Sequence, residues 1–161
     1  MVILSLCIRE KHGYLFFRQT ELKNYFLNKK RIEATMTNDK LIQMAYEAME
    51  NAYVPYSKFQ VGAALLTKNG KVFKGCNIEN ASFGATNCAE RTAIFKAISE
   101  GEKDFVKLAV VSNSKKFTYP CGICRQVMSE FMMDAVMLFD DQDKGIIEIP
   151  MTEILPYKFD L

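Results

Sequence analysis

Two segments, TNCAERTA at residues 86–93 and PCGICRQ at residues 120–126, each put a cysteine where a helix should begin, and VKLAVVSN at residues 106–113 runs between them. The middle run is short, apolar and rich in β-branched residues, the pattern of a strand covered on both faces. Such a strand needs neighbours beside it and helices over it, so the three segments together ask for a sheet between helical layers. Strand ends in a sheet of this kind can deliver helix N-termini to one crevice. The two cysteine-bearing segments are therefore expected to meet.

The rest of the chain fits that frame. Thr37 or Asn38 can cap a helix in which Leu41, Met44, Ala45, Ala48 and Met49 share an apolar face, with Pro55 closing it. Two β-rich runs, 61–67 and 71–78, flank Asn69-Gly70, the strongest short hairpin signal. The loop ENASFGAT leads into a helix over 87–99 that stops at Gly101, and Pro120 opens a second helix over PCGICRQVMSEFMM. AVMLFD and GIIEIPM read as strands separated by polar DQDKG, and MTEILPYKF as a short helical end. The order α, β, β, α, β, α, β, β predicts an α/β fold: a three-layer α/β/α domain with a five-stranded mixed sheet.

Residues 1–35 differ in character. They carry seven Lys/Arg and three Asp/Glu, whereas residues 36–161 carry fourteen and sixteen and so stand at −2 within the chain's total of +2. That remainder offers no electrostatic footprint for a polyanion, which argues against nucleic acid as partner. We place the domain at residues 36–161 and read 1–35 as an N-terminal extension, an appendage or an over-extended reading frame; an extra packed helix over residues 21–31 is the alternative. No apolar run approaches the roughly 18 residues that span a bilayer, and MVILSLCI lacks the basic segment and cleavage site of a signal peptide. The five cysteines, an odd count without a secretion signal, point to a reducing compartment and hence the cytoplasm.

Cys88 and Cys121 each fall in a first helical turn, and Cys124 shares a face with Cys121. Helix N-termini favour thiolates, and three thiolates can converge on a zinc ion at about 2.3 Å from each sulfur. Three protein ligands leave a fourth position open, which a catalytic zinc keeps for water and a structural one does not. The single histidine, His12, lies outside the domain; Cys7 and Cys76 read as ordinary residues, Cys76 as a small buried one. Glu90, two residues from Cys88, is close enough to take a proton from water at the open position and hand it to a leaving group. Three thiolates neutralise much of the metal's charge; Arg91 and Arg125 are placed to offset this by donating to sulfur, Arg91 more favourably because it is three residues after Cys88. A lone C-x-x-C would serve equally as a redox pair or a structural half-site, and only its conjunction with Cys88-x-Glu90 makes the pattern specific.

The combination of CAE at 88–90 with PCGICRQ at 120–126 resembles the zinc-dependent cytidine deaminases, in particular the short homotetrameric type with three cysteine ligands. The resemblance runs from Thr37 to the C-terminus through FQVGAALL, NIENASFG and LPYKF, and residues 1–35 have no counterpart in it. It implies one zinc per subunit on Cys88, Cys121 and Cys124, with Glu90 as proton shuttle. It also implies that Asn77 and Glu79 hold ribose hydroxyls, that Phe59 lines the base pocket, that the Ala89 backbone meets the pyrimidine edge, and that Phe159 enters a neighbouring subunit's site. The expected activity is hydrolytic deamination of cytidine and 2′-deoxycytidine in pyrimidine salvage. Rival readings are a deaminase of another cytosine-containing small molecule such as blasticidin S, a nucleic-acid editor, and a non-enzymatic zinc module.

Overall fold

The computed structural model describes residues 6–10, 13–17, 27 and 36–159. The chain divides into two units, Met1–Met36 and Thr37–Leu161. In the first, β1 (Leu6–Glu10) and β2 (Gly13–Phe17) pair antiparallel with Leu6 opposite Phe17. This ladder was not expected from the sequence, where the aromatics of the segment show no clean period. His12 and, Leu27 apart, the alternative helix over residues 21–31 lie outside the described residues.

The second unit begins with α1 (Asn38–Met49), capped by Thr37, whose hydroxyl accepts from Lys40 N at 3.3 Å. Leu41, Ile42, Ala45 and Ala48 form its buried face. The helix stops short of Pro55 because the chain there turns to pair elsewhere: Tyr53 N donates to Asn77 O at 3.1 Å and Glu79 N to Tyr53 O at 2.8 Å. The expected hairpin follows as β3 (Val61–Thr67) and β4 (Val72–Cys76), with Gly70 at φ 89° in the turn. Then come a 3₁₀ turn (Phe83–Ala85), α2 (Ala89–Ser99), β5 (Phe105–Ser112), α3 (Gly122–Phe131), β6 (Val136–Asp141), β7 (Gly145–Pro150) and α4 (Met151–Ile154).

The sheet order is β4-β3-β5-β6-β7; β5 and β6 are parallel and the other neighbours antiparallel, so the sheet is mixed and five-stranded as expected. Every residue of β3 is buried. Successive strand residues face opposite sides, and two glycines show what covers each side. A Cβ on Gly62 would lie 2.0 Å from Ala45 O of α1, and one on Gly75 would lie 2.5 Å from both Ala89 O and Ala93 N of α2. Helices thus press on both faces at backbone distance, which makes three layers. On the α2 side Ala63, Leu65, Ile94, Val110, Met128 and Phe139 belong to one apolar cluster.

Two expectations need correction. The helical end expected over 151–159 is a single turn, because Pro156 has no N–H to donate and Tyr157 takes φ 57°. Cys76 is half-buried, not enclosed: it is the last residue of β4, and its thiol donates to Asn51 O at 3.4 Å. Among the described residues no helix is long and apolar enough to cross a membrane.

Candidate metal centre

Cys88 and Cys121 sit one position earlier than expected. Each is the residue immediately before its helix, with extended backbone (φ −78°, ψ 157° and φ −68°, ψ 168°), and neither side chain caps the helix it precedes. Both sulfurs are left free to approach each other. Cys124, in the first turn of α3, is fully buried. The three sulfurs lie within 4.8 Å of one another, with Cys88 Sγ and Cys121 Sγ 3.8 Å apart. A tetrahedral ion with zinc–sulfur distances of about 2.3 Å sets its ligands about 3.8 Å apart, so the set fits zinc and leaves a fourth corner for something other than sulfur. Among the described residues this is the one group of three such side chains.

The cluster favours thiolate, the form that binds metal, at Cys88. A hydrogen bond from the Cys124 thiol, joined by the Arg91 guanidinium, brings the Cys88 thiol down to about 5 in spite of its burial. The same shared proton, with burial and the nearby Glu90 charge, holds Cys124 up. Arg91 Nη2 donates to Cys88 Sγ at 3.6 Å and to Thr86 O at 3.1 Å, as the three-residue spacing requires. Arg91 Nε is buried without a partner. Glu90, the second residue of α2, is only 4% exposed, and burial pushes its carboxyl up to about 7. A carboxyl balanced near neutrality can both take and return a proton.

Arg125 is used differently from the sequence expectation. Its Nε donates to Pro120 O at 2.8 Å and its Nη1 to Ile154 O at 3.0 Å, so it ties the loop before α3 to the end of α4. One residue on from Cys124 the helix has turned by about 100°, which aims this guanidinium at the returning chain. Asn77 and Glu79 both face backbone. Asn77 Oδ1 accepts from Val61 N at 2.8 Å while its Nδ2 donates to Phe59 O at 2.8 Å, and Glu79 Oε2 accepts from Tyr56 N at 2.9 Å. Hydrogen bonds from Ser57 hold the Glu79 carboxyl below its ordinary value. Phe59 is 40% exposed, and Ala89 is buried at the first position of α2. Phe159 has its carbonyl bonded by Gln126 Nε2 at 2.9 Å, and its ring is exposed.

Several contributors escaped the sequence reading. Thr86 anchors Arg91 through its carbonyl. Buried Ser112, at the end of β5, joins Ser114 (2.7 Å) and Thr118 (2.6 Å) in a part-buried hydroxyl cluster that closes the loop leading to Cys121. The density of hydroxyls in SNSKKFTYP was the available signal. A groove of about 580 Å³ between α1 and β6–β7, lined by Tyr46, Asp140 and Glu148 among others, contains none of these residues.

The family described as "Cytidine and deoxycytidylate deaminase zinc-binding region" matches residues 35–139. The cytidine deaminase of Halalkalibacterium halodurans is 54% identical over 125 residues, covering 77% of this chain and 95% of that protein. A crystal structure of cytidine deaminase from Burkholderia pseudomallei superposes with a TM-score of 0.73 at 45% identity, covering 77% of this chain and all of that one (100%). The blasticidin-S deaminase of Bacillus cereus is more distant, at 32% identity over 127 residues, 74% of this chain and 89% of that one. The zinc-binding character of the matched family and the three converging sulfurs agree on the metal.

Proposed function

The chain belongs to the cytidine and deoxycytidylate deaminase family, and from that premise we propose that it hydrolyses cytidine and 2′-deoxycytidine to uridine and 2′-deoxyuridine with release of ammonia. The observation that carries this reading is a buried acid, Glu90, two residues from a sulfur of a three-cysteine cluster. Cys88, Cys121 and Cys124 would hold the zinc. When bound, the ion supplies Lewis acidity that lowers the pKa of water toward about 7. Glu90 takes a proton from the attacking water as its oxygen bonds to C4 of the cytosine ring, and places that proton on N3. It then carries the proton of the new C4 hydroxyl to the amino group as the C–N bond breaks, so the ring keeps N3–H and ammonia leaves.

Phe59 lines the base, the Ala89 backbone faces the pyrimidine edge, and Asn77 and Glu79 serve the ribose. The exposed rings of Phe59 and Phe159 support a site completed by neighbouring subunits in a homotetramer, as do Tyr53, Tyr56, Phe83 and Ile123, all more than half exposed. Residues 36–161 are the catalytic domain and 1–35 an extension outside it, in a cytoplasmic enzyme of pyrimidine salvage. The higher identity to a cytidine deaminase than to a blasticidin-S deaminase favours the nucleoside over the antibiotic.

The test is the fall in ultraviolet absorbance when purified, zinc-analysed protein meets cytidine, with blasticidin S in parallel. Glu90→Gln should keep the zinc and lower turnover by about 10²–10⁴-fold. A zinc-loaded wild type that leaves cytidine untouched sinks the reading.

A further inference from the structure

Between α1 and β3 the chain passes through residues 54–60, which carry Phe59 and form neither helix nor strand. The backbone of this stretch is held by side chains, and at one point by backbone, from elsewhere. The carbonyls of three successive residues are each taken up: Lys58 O by Asn113 Nδ2 at 2.9 Å, Phe59 O by Asn77 Nδ2 at 2.8 Å, and Gln60 O by Asn113 N at 3.0 Å. On the donor side, Val61 N bonds to Asn77 Oδ1 at 2.8 Å, and Tyr56 N and Ser57 N bond to the Glu79 carboxylate at 2.9 and 3.3 Å. Lys58 is held at φ 58°, a left-handed conformation that a side chain with a Cβ adopts only when its surroundings impose it.

The same short segment that grips this loop also reaches the metal side. Ile78 N donates to Asn87 O at 2.9 Å and Asn87 N to Ile78 O at 3.0 Å, immediately before Cys88. Residues 77–79 therefore join the loop that bears Phe59 to the approach of a metal ligand, and Asn113, at the end of β5, closes the loop from the other side.

We propose that Asn113 is a positioning residue for the base pocket, acting with Asn77 and Glu79 to hold residues 56–61 in the one conformation that presents Phe59 to the cytosine ring. The proposal rests on the nucleoside deaminase reading and deepens it. It assigns Asn77 and Glu79 a duty toward the protein backbone beside any toward a sugar, and gives Asn113 a duty toward the backbone alone. Removing the Asn113 amide should then weaken binding of any cytosine nucleoside, whatever hydroxyls its sugar carries, and leave the zinc and the proton shuttle intact.

The experiment uses the full-length zinc enzyme with cytidine and 2′,3′-dideoxycytidine as substrates. Asn113→Ala should raise KM for both by a common factor of about ten, the loss expected of one well-made hydrogen bond, with kcat within twofold and zinc content unchanged. Trypsin cleavage after the exposed Lys58 should accelerate by a similar factor. Asn113→Asp, which keeps the size and loses the donor, carries the same test should the alanine variant not fold. A KM within twofold of wild type, a fall confined to kcat, or an effect seen only with cytidine overturns the proposal. If the wild type does not turn over cytidine, the functional reading is what has failed; the rate of cleavage at Lys58 then decides on the clamp, and an unchanged rate overturns it.

Discussion

The two helix starts that supply the sulfurs are built to opposite plans. At the start of α2 the backbone is pressed against the sheet over Gly75, Ala89 is buried, Glu90 is 4% exposed, and Arg91 bonds to Cys88 sulfur. At the start of α3 Cys121 is exposed, a Cβ on Gly122 would meet nothing within 4 Å, Ile123 is 63% exposed, and Arg125 turns away to two carbonyls. One half of the metal centre is thus packed into the core, while in the other Cys124 is buried but the turn that bears Cys121 lies at the surface. The acid, the guanidinium and the sulfur drawn towards thiolate all belong to the α2 half. Of the three sulfur-bearing residues, Cys121 is the one exposed to solvent.

Substitutions at the two starts should break this contrast or sharpen it. The largest effect is expected from the ligands. Cys88→Ala and Cys121→Ala should both lose the ion, seen in metal analysis, with turnover down by at least about a hundredfold. Only Cys88→Ala should also destabilise the chelated protein, by about 1–2 kcal/mol in urea titration, because it strands the Arg91 guanidinium.

Next is the pH dependence of the chelated protein. Glu90 is raised by burial from an ordinary 4.5 to about 7, so the folded state binds its proton more tightly than the unfolded state does. The stability this confers is complete below about pH 4.5 and is lost as pH rises through about 7, a difference of order 3 kcal/mol for this one group. Glu90→Gln should flatten that slope; an identical slope in both proteins would move the buried acid out of the core half.

Glycine substitutions probe the packing directly. Gly75→Ala drives a Cβ to 2.5 Å from α2 backbone and should cost about 1–3 kcal/mol, whereas Gly122→Ala meets open space and should change stability by less than about 1 kcal/mol. Denaturant midpoints measure both. The smallest contrast is between the arginines. Arg91→Gln should lower zinc affinity by about tenfold, measured by competition with a chelator. Arg125→Gln should leave zinc affinity nearly unchanged while lowering stability by about 1 kcal/mol.

What was legible in the sequence was legible because it is local. Cys121 and Cys124 are three residues apart, as are Cys88 and Arg91, the spacing that puts side chains on one side, and Glu90 is within two residues of Cys88 along the chain. The hairpin at Asn69-Gly70 and the Thr37 cap are local in the same sense. Arg125 shows the limit, since its partner Ile154 comes from a distant turn that no spacing rule reaches. Asn113 is the same case, its amide meeting Lys58 across the sheet.

The chain's own spelling determined the order of helices and strands in the second unit, the three sulfurs fit for a metal and the acid beside them, since hydrophobic period and short-range motif spacing depend only on neighbours along the chain. Tertiary structure alone decided which arginine faces sulfur, how deeply Glu90 is buried and hence how far its carboxyl rises, and which amides grip the loop that carries Phe59. Burial and long-range hydrogen bonds are properties of what the fold places nearby, and a side chain's proton affinity and reach follow from those surroundings.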